Sequence, residues 1–177
     1  MLCAGAGSRY ASPDGRHKLL ALFRGRPLVS WALESALEAA LGPAIAVAGA
    51  VDLSGMVPAG YVVVQNPRWD AGIATSLQCG VAAARERGLD AIVVGLGDQP
   101  LVPASAWKAV GASRFPIAVA TYSGARRNPV RLASTVWDEL PLSGDQGARA
   151  LVRERPELVE EIPCEGDPRD VDTADDL

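Results

Sequence analysis

The chain has 177 residues, of which 49% are apolar and 21% charged, and a formal net charge of −4. That length fits one domain with a sizeable buried core, and the composition is that of an ordinary globular protein. The acidic balance argues against a surface that wraps nucleic acid, which would need a basic face to displace counterions.

A local basic pocket is still open, because Arg9, Arg16, Lys18, Arg24 and Arg26 cluster near the start. No stretch reaches the roughly 18 consecutive apolar residues of a membrane span, and the first residues lack the pattern of a secretion signal. Cys3, Cys79 and Cys164 are scattered with no CxxC spacing. An odd, scattered count reads as reduced thiols packed as small residues in a cytoplasmic protein. The single histidine, His17, cannot build a histidine metal site, and it reads as a surface loop residue.

In chain order, residues 1–4 suggest a first strand shorter than the usual 5–6 residues. That reads either as a trimmed or misplaced start or as a shortened strand. Val29, Leu33, Leu37 and Leu41 then recur at helical spacing, with Glu34 and Glu38 on the opposite side. Residues 44–48, 61–64, 91–94 and 117–120 are short runs apolar on both faces, as buried parallel strands are. Leu77, Val81 and Ala84 mark a second helix that Gly88 can stop. A shorter helix is predicted over 103–110, a strand over 129–132, a helix over 145–154 and an edge strand over 158–162. Trp31 and Trp107 read as core aromatics on helices, and Trp69 as a residue able to border an acceptor pocket. The chain stops where a last helix begins, with Asp172 or Thr173 capping it and Asp175 and Asp176 favouring its dipole. Strands alternating with helices imply right-handed crossovers. The predicted fold is a single three-layer α/β domain, Rossmann-like, with a mainly parallel twisted sheet.

Two features carry chemistry. The first is Leu2-Cys3-Ala4-Gly5-Ala6-Gly7-Ser8-Arg9, small residues at a strand end followed by a cation. Glycines let the backbone approach a ligand closely, and successive N–H groups in such a turn can form an anion-binding concavity. Tyr10 stands where a dinucleotide fingerprint needs its third glycine, and no Gly-Lys-Ser/Thr follows to make a P-loop. Lys18 can fold back over the same phosphates. The plainer alternative is an ordinary strand-to-helix turn with solvated basic residues. The second feature is Asp98, delivered at the carboxyl end of the 91–97 strand, where ligands of parallel sheets bind. It is either a Mg²⁺ ligand or a turn residue before Pro100. Asp170 and Asp172 alternate around Val171, so either can supply a second carboxylate in an extended segment.

Taken together, LCAGAGSR with Lys18, Asn66…Gly72-Ile-Ala-Thr-Ser76-Leu77, Gly97-Asp98-Gln99-Pro100, Asn128-Pro129-Val130, Gly144-Asp145-Gln146-Gly147-Ala148-Arg149 and Asp170-Val-Asp172-Thr173 resemble the MobA-like nucleotidyltransferases. Within that family the chain is most similar to the molybdenum cofactor cytidylyltransferases. The blocks fall in order over nearly the whole chain. The resemblance implies a Rossmann-like fold that binds an NTP with Mg²⁺ or Mn²⁺. It implies a nucleotide site of Ala4, Gly5, Ala6, Gly7, Ser8, Arg9, Lys18, Asn66, Thr75, Ser76, Leu77 and Asp98. Asp98 and Asp172 would hold the metal, and Gln99, Asn128, Gly147 and Arg149 would face the acceptor. Ala4, before the first glycine, goes with CTP in that family. The implied acceptor is a phosphorylated pterin such as molybdopterin, with an apo-molybdoenzyme or its chaperone as recipient of the product and neither nucleic acid nor membrane as partner.

This chain departs from the family in Cys3, in the long run from Arg9 to Lys18, and in Arg127-Asn128 before Pro129. These departures bear on the acceptor rather than the reaction class. Arg9, Lys18 and Asp98 are the expected catalytic residues for transfer of a nucleoside monophosphate with release of pyrophosphate. The rival readings are a guanylyltransferase, a sugar-phosphate or phospholactate nucleotidyltransferase of the same fold, a non-catalytic nucleotide-binding module, and a dinucleotide-dependent oxidoreductase that Tyr10 disfavours.

Overall fold

A computed structural model describes residues 1–7, 10, 15–173 and 176. The apolar runs form strands β1 (Leu2–Cys3), β4 (Ala44–Ala48), β5 (Tyr61–Gln65), β6 (Ala91–Val94), β7 (Ile117–Tyr122), β8 (Ala125–Ala133) and β9 (Val159–Pro163). A small antiparallel hairpin, β2 (Leu22–Phe23) with β3 (Arg26–Pro27), precedes β4. The amphipathic stretches form helices α1 (Leu28–Glu38), α2 (Ile73–Glu86), α3 (Ala104–Gly111) and α4 (Arg149–Glu154).

β1, β4 and β5 are parallel neighbours in the order β1-β4-β5, and β6, β8, β7 and β9 run in that order beside them. The two parts join at β1, where Leu2 bridges Leu96 in parallel. The Leu2 N–H donates to the Gly95 carbonyl at 2.9 Å, and the Gly97 N–H donates to the Leu2 carbonyl at 3.0 Å. β8 is antiparallel to both its neighbours, while β9 is parallel to β7. The sheet is therefore parallel apart from β8, and the carboxyl ends of β1, β4 and β6 open on one side.

Side-chain alternation along the strands sorts the core onto two faces. Ile117 and Val119 of β7 pack with Leu77 and Val81 of α2 and with Trp137. Ala118 and Ala120 pack with Trp107 and Val110 of α3. Val29 and Leu33 of α1 cover Ala46 and Ala48 of β4. Each such Leu or Val removed from water is worth roughly 1.5–3 kcal/mol, which holds the helices on both faces. The result is a three-layer α/β fold, as expected. Trp107 is buried among these groups, and Trp31 is half-buried, its indole N–H donating to the Phe23 carbonyl at 2.9 Å.

The structure differs from expectation in four places. α1 ends at Glu38 and Ala40 takes a positive φ, so Leu41, expected on the same apolar stripe, lies beyond the helix and is exposed. β5 lies at the sheet edge with Val62 and Val63 38% and 46% exposed, rather than buried on both faces. β8 starts four residues before Pro129, because a turn at Ser123-Gly124, both at positive φ, reverses the chain and recruits Arg126 and Arg127 into the ladder with β7. α4 starts at Arg149 rather than near 145, because residues 144–147 are drawn away to cover the start of α2. At the far end, Asp176 accepts from the Asp172 and Thr173 N–H groups and from the Thr173 hydroxyl, so the acceptor is Asp176 and not the Asp172 or Thr173 side chain expected as the cap; Asp175 lies outside the described residues. No helix among the described residues is long and apolar enough to cross a membrane.

Candidate functional site

A cleft of about 390 Å³ opens at the carboxyl ends of β1 and β6. One rim is the turn after β1. Ala4, Gly5, Ala6 and Gly7 line the cleft, together with Lys18. An added Cβ at Gly5 would meet nothing within 4 Å, so its bare backbone faces open space that a ligand can approach. Gly7, in contrast, has φ +62°, and a Cβ there would lie 3.1 Å from the Lys18 Cβ. It is needed so that the chain can turn tightly against the segment carrying Lys18.

That segment is fixed by a residue the sequence did not single out as functional. His17 accepts the Leu19 N–H on Nδ1 at 3.2 Å, and its Nε2 lies 2.9 Å from the Gly5 carbonyl. With Nδ1 as acceptor, Nε2 must carry the proton and donate to Gly5. The imidazole thus ties the glycine rim to the turn before Lys18. Burial lowers its pKa below the usual histidine value, against the opposing pull of the Gly5 carbonyl. Its partners being local and mostly backbone, no sequence pattern would have revealed this.

The Lys18 ammonium sits between two carboxylates, 2.7 Å from Asp98 Oδ2 and 3.1 Å from Asp172 Oδ1. Burial works against its charge, but Asp98, and then Asp172, outweigh that and hold its pKa above the ordinary lysine value. Asp98 is carried by the turn after β6, and its second oxygen, Oδ1, is buried with no hydrogen-bond partner. A buried carboxylate oxygen without a partner is costly unless a ligand answers it. Among the described residues no group of three or more His, Cys, Asp or Glu side chains is arranged to hold a metal. Two carboxylates, one with an unanswered oxygen, facing a glycine rim match Mg²⁺ or Mn²⁺, which takes one or two carboxylates and completes its shell with phosphate oxygens and water. Asp172 lines this cleft, whereas Asp170 accepts from Gln99 instead.

Of the expected nucleotide residues, Ala4, Gly5, Ala6, Gly7, Lys18, Ser76 and Asp98 line the cleft. Ser8 and Arg9 lie outside the described residues. Asn66, Thr75 and Leu77 stand behind the wall. Asn66 is buried, donates to the Thr75 and Ser76 hydroxyls at 2.8 and 2.9 Å, and accepts the Arg68 N–H. Thr75 donates back to Arg68 and Gly72 carbonyls, and Leu77 is core. Asn66 and Thr75 thus brace the first turn of α2 from inside, and their polar atoms are turned away from a ligand.

The acceptor residues are placed differently from expectation. Gln99, Asn128, Gly147 and Arg149 do not line the cleft. Gln99 is buried and bonded to Asp170, Pro168 and Asn128; Arg149 is exposed on α4. Gly147 is buried in the loop that covers α2. That loop approaches so closely that a Cβ at Gly72, where φ is +100°, would fall 2.5 Å from the Gly144 carbonyl carbon. Trp69, Asp70 and Asp145 also line the cleft. Asp70 was missed because a single aspartate in a polar loop carries no signal of its own, and Asp145 stood in the 144–149 block without being given a role.

The chain is 33% identical over 199 residues to nicotine blue oxidoreductase from Paenarthrobacter nicotinovorans, covering all of this chain and 92% of that protein. Its structure aligns with the crystal structure of Rv0371c from Mycobacterium tuberculosis H37Rv at a TM-score of 0.81 and 29% identity, over 99% of this chain and 92% of that one. Rv0371c in complex with manganese aligns at 0.73 and 28% identity, over the same shares of the two chains. The inositol-1-phosphate CTP transferase from T. maritima shares the fold, at a TM-score of 0.75 and 17% identity over 99% of this chain and 89% of that one. The sequence model of the MobA-like NTP transferase domain matches residues 1–159, from the glycine rim through the first residue of β9, and the chain belongs to that family of nucleotidyltransferases.

Proposed function

We propose that the protein transfers CMP from CTP to the phosphate of a phosphorylated pterin, with molybdopterin as the acceptor, and releases pyrophosphate. The observation that carries this reading is the Lys18 ammonium between Asp98 and Asp172, facing the bare backbone at Gly5. The family supports the reaction class, and Ala4 before Gly5 supports cytidine over guanosine.

In this reading the backbone from Ala4 to Gly7, with Ser8 and Arg9 following, cradles the triphosphate. Asp98 and Asp172 hold Mg²⁺ or Mn²⁺, which when bound supplies neutralisation of phosphate charge. An acceptor phosphate oxygen attacks the α-phosphorus in line; the new P–O bond forms as the bond to pyrophosphate breaks. Phosphate is already anionic near neutral pH, so no general base is required. Lys18 and Arg9 offset the charge that builds on the α-phosphate and on departing pyrophosphate, and the barrier falls chiefly through positioning and electrostatics. The acceptor enters beside Trp69, Asp70 and Asp145, which line the same cleft. The protein works in the cytoplasm and passes its product to an apo-molybdoenzyme or that enzyme's chaperone.

Pyrophosphate release with CTP and with GTP, each against molybdopterin and against sugar phosphates, tests the reading. CTP with the pterin is expected to turn over fastest, and Asp98→Ala to abolish turnover. Release by Asp98→Ala at the wild-type rate would refute the assignment. A second reading, an oxidoreductase, is favoured by the whole-chain similarity to nicotine blue oxidoreductase. Consumption of NADH or NADPH with a dye acceptor, without pyrophosphate release from any NTP, would select it.

A further inference from the structure

We propose that Gln99 is a positioning residue that holds residues 166–172 against the Asp98 turn, so that the Asp172 carboxylate stays in the cleft with Asp98, where both meet the Lys18 ammonium. The inference rests on the nucleotidyltransferase reading of this cleft and gives Gln99 a task other than contact with the acceptor.

The Gln99 side chain is 4% exposed, and all its polar atoms are engaged within the protein. Nε2 donates to the Pro168 carbonyl at 2.9 Å and to Asp170 Oδ1 at 2.8 Å. Oε1 accepts from Asn128 Nδ2 at 3.0 Å. A substrate could reach this amide only by breaking those bonds. Next to it, the Val171 N–H donates to the Asp98 carbonyl at 3.0 Å, and the Val171 side chain is buried with Phe23 and Leu28. The tail is therefore pinned at three successive residues, by Gln99 at Asp170, by Asp98 backbone at Val171 and by Lys18 at Asp172.

The chemistry of the middle of this clasp explains an amide there. Asp170 accepts from Gln99 Nε2 at 2.8 Å and precedes Val171, whose N–H donates to the Asp98 carbonyl, so this carboxylate is held beside the Asp98 turn. A neutral donor answers Asp170 without adding charge beside the metal-facing pair. Asn128 in turn fixes which way the Gln99 amide faces, because its Nδ2 must meet an oxygen. The β8 strand thereby sets the orientation of a group that sets the tail.

The test is Mn²⁺ affinity, measured by electron paramagnetic resonance of free Mn²⁺ with neither nucleotide nor acceptor present, on protein shown to be folded by circular dichroism. Gln99→Met keeps length and removes the hydrogen bonds; it should weaken Mn²⁺ binding about 10–100-fold, as loss of a group supporting a metal ligand does. Should Gln99→Met fail to fold, Asp170→Leu breaks the same tie from its outer partner and should lose affinity alike. The double variant should be no worse than the weaker single. Asp170→Asn retains an oxygen for Gln99 and should bind Mn²⁺ within about threefold of wild type. Loss of affinity in Asp170→Asn would make Asp170 a ligand and overturn the proposal. So would Gln99→Met with unchanged Mn²⁺ affinity and a raised KM for the phosphorylated acceptor alone. Wild-type protein that binds no Mn²⁺, or wild-type binding with unaffected variants, would overturn this proposal; the function it rests on would be overturned separately, by absence of pyrophosphate release from any NTP.

Discussion

The Lys18 ammonium lies 2.7 Å from Asp98 Oδ2, and it reaches Asp172 as well, so a lysine and a divalent cation have the same carboxylate oxygens to share. The lysine therefore acts on the site in two opposite ways. It offsets phosphate charge when nucleotide is present, and it competes for the carboxylates when nucleotide is not. Lys18→Met should cost about 10²–10³ in turnover, the usual loss for one stabilising donor. The same variant should bind Mn²⁺ more tightly than wild type in a nucleotide-free titration. Weaker Mn²⁺ binding by Lys18→Met would show that the two cations do not compete.

Two glycines should separate fold from function. A Cβ at Gly5 meets nothing within 4 Å, while at Gly72 it collides with Gly144 backbone at a φ of +100°. Gly5→Val should leave the melting temperature within about 2 °C, since surface changes cost little, yet raise the KM for the nucleotide at least tenfold. Gly72→Ala should lower the melting temperature by several degrees, on the order expected for strained positive-φ substitutions. Thermal melts and nucleotide titrations on both variants would decide this, and equal effects on the two readouts would defeat the distinction.

His17 gives the rim a dependence on pH with a definite sign. Its pKa is depressed in the fold by burial, so as pH falls the unfolded chain takes up the proton first. Its contribution is complete above the unfolded value of about 6.5 and is lost as pH drops through the lower folded value. His17→Asn keeps a short polar side chain that does not titrate. The melting-temperature gap between wild type and His17→Asn should therefore narrow from pH 8 to pH 5. A gap that stays constant would mean that the imidazole charge has no bearing on the rim.

Asn66 belongs to the support of the cleft. Its side chain donates two hydrogen bonds and accepts one in a buried position. Asn66→Ala leaves those partners unanswered, at about 1–3 kcal/mol for each unsatisfied group. It should lower stability markedly in urea unfolding, with the KM for nucleotide nearly unchanged. A large KM effect at unchanged stability would return Asn66 to the nucleotide.

The sequence was most legible where one physical signal dominated. Residues 44–48 and 91–94 are short Val, Ile and Ala runs, and they are β4 and β6 to the residue. The glycine turn, Lys18, Asp98 and Asp172 line one cleft; spacing left Asp170 and Asp172 open, and only the family resemblance favoured Asp172. β8 was half hidden, since Arg126 and Arg127 do not read as strand, and their pairing depends on a turn at Ser123-Gly124. Asn66, Thr75 and Gln99 could be found as a pattern but not as a direction: nothing in a sequence says whether an amide faces a ligand or its own backbone. Those three turn inward, whereas Asp70, which lines the cleft, was silent, and Asp145, which lines it too, stood in a motif block with no role attached.

The three side chains that meet in the cleft are distant in sequence: Lys18 to Asp98 spans 80 residues, and Lys18 to Asp172 spans 154. Such distant partners meet late in folding, because the entropy of closing long loops must be met first. A nascent chain still on the ribosome can begin its sheet from the N-terminal side, but it cannot bring Asp172 to Lys18 until the segment carrying Asp172 has been made. Copies lacking that segment would hold the nucleotide-facing rim without the complete carboxylate pair, so competence waits on a contact between residues 154 apart in sequence.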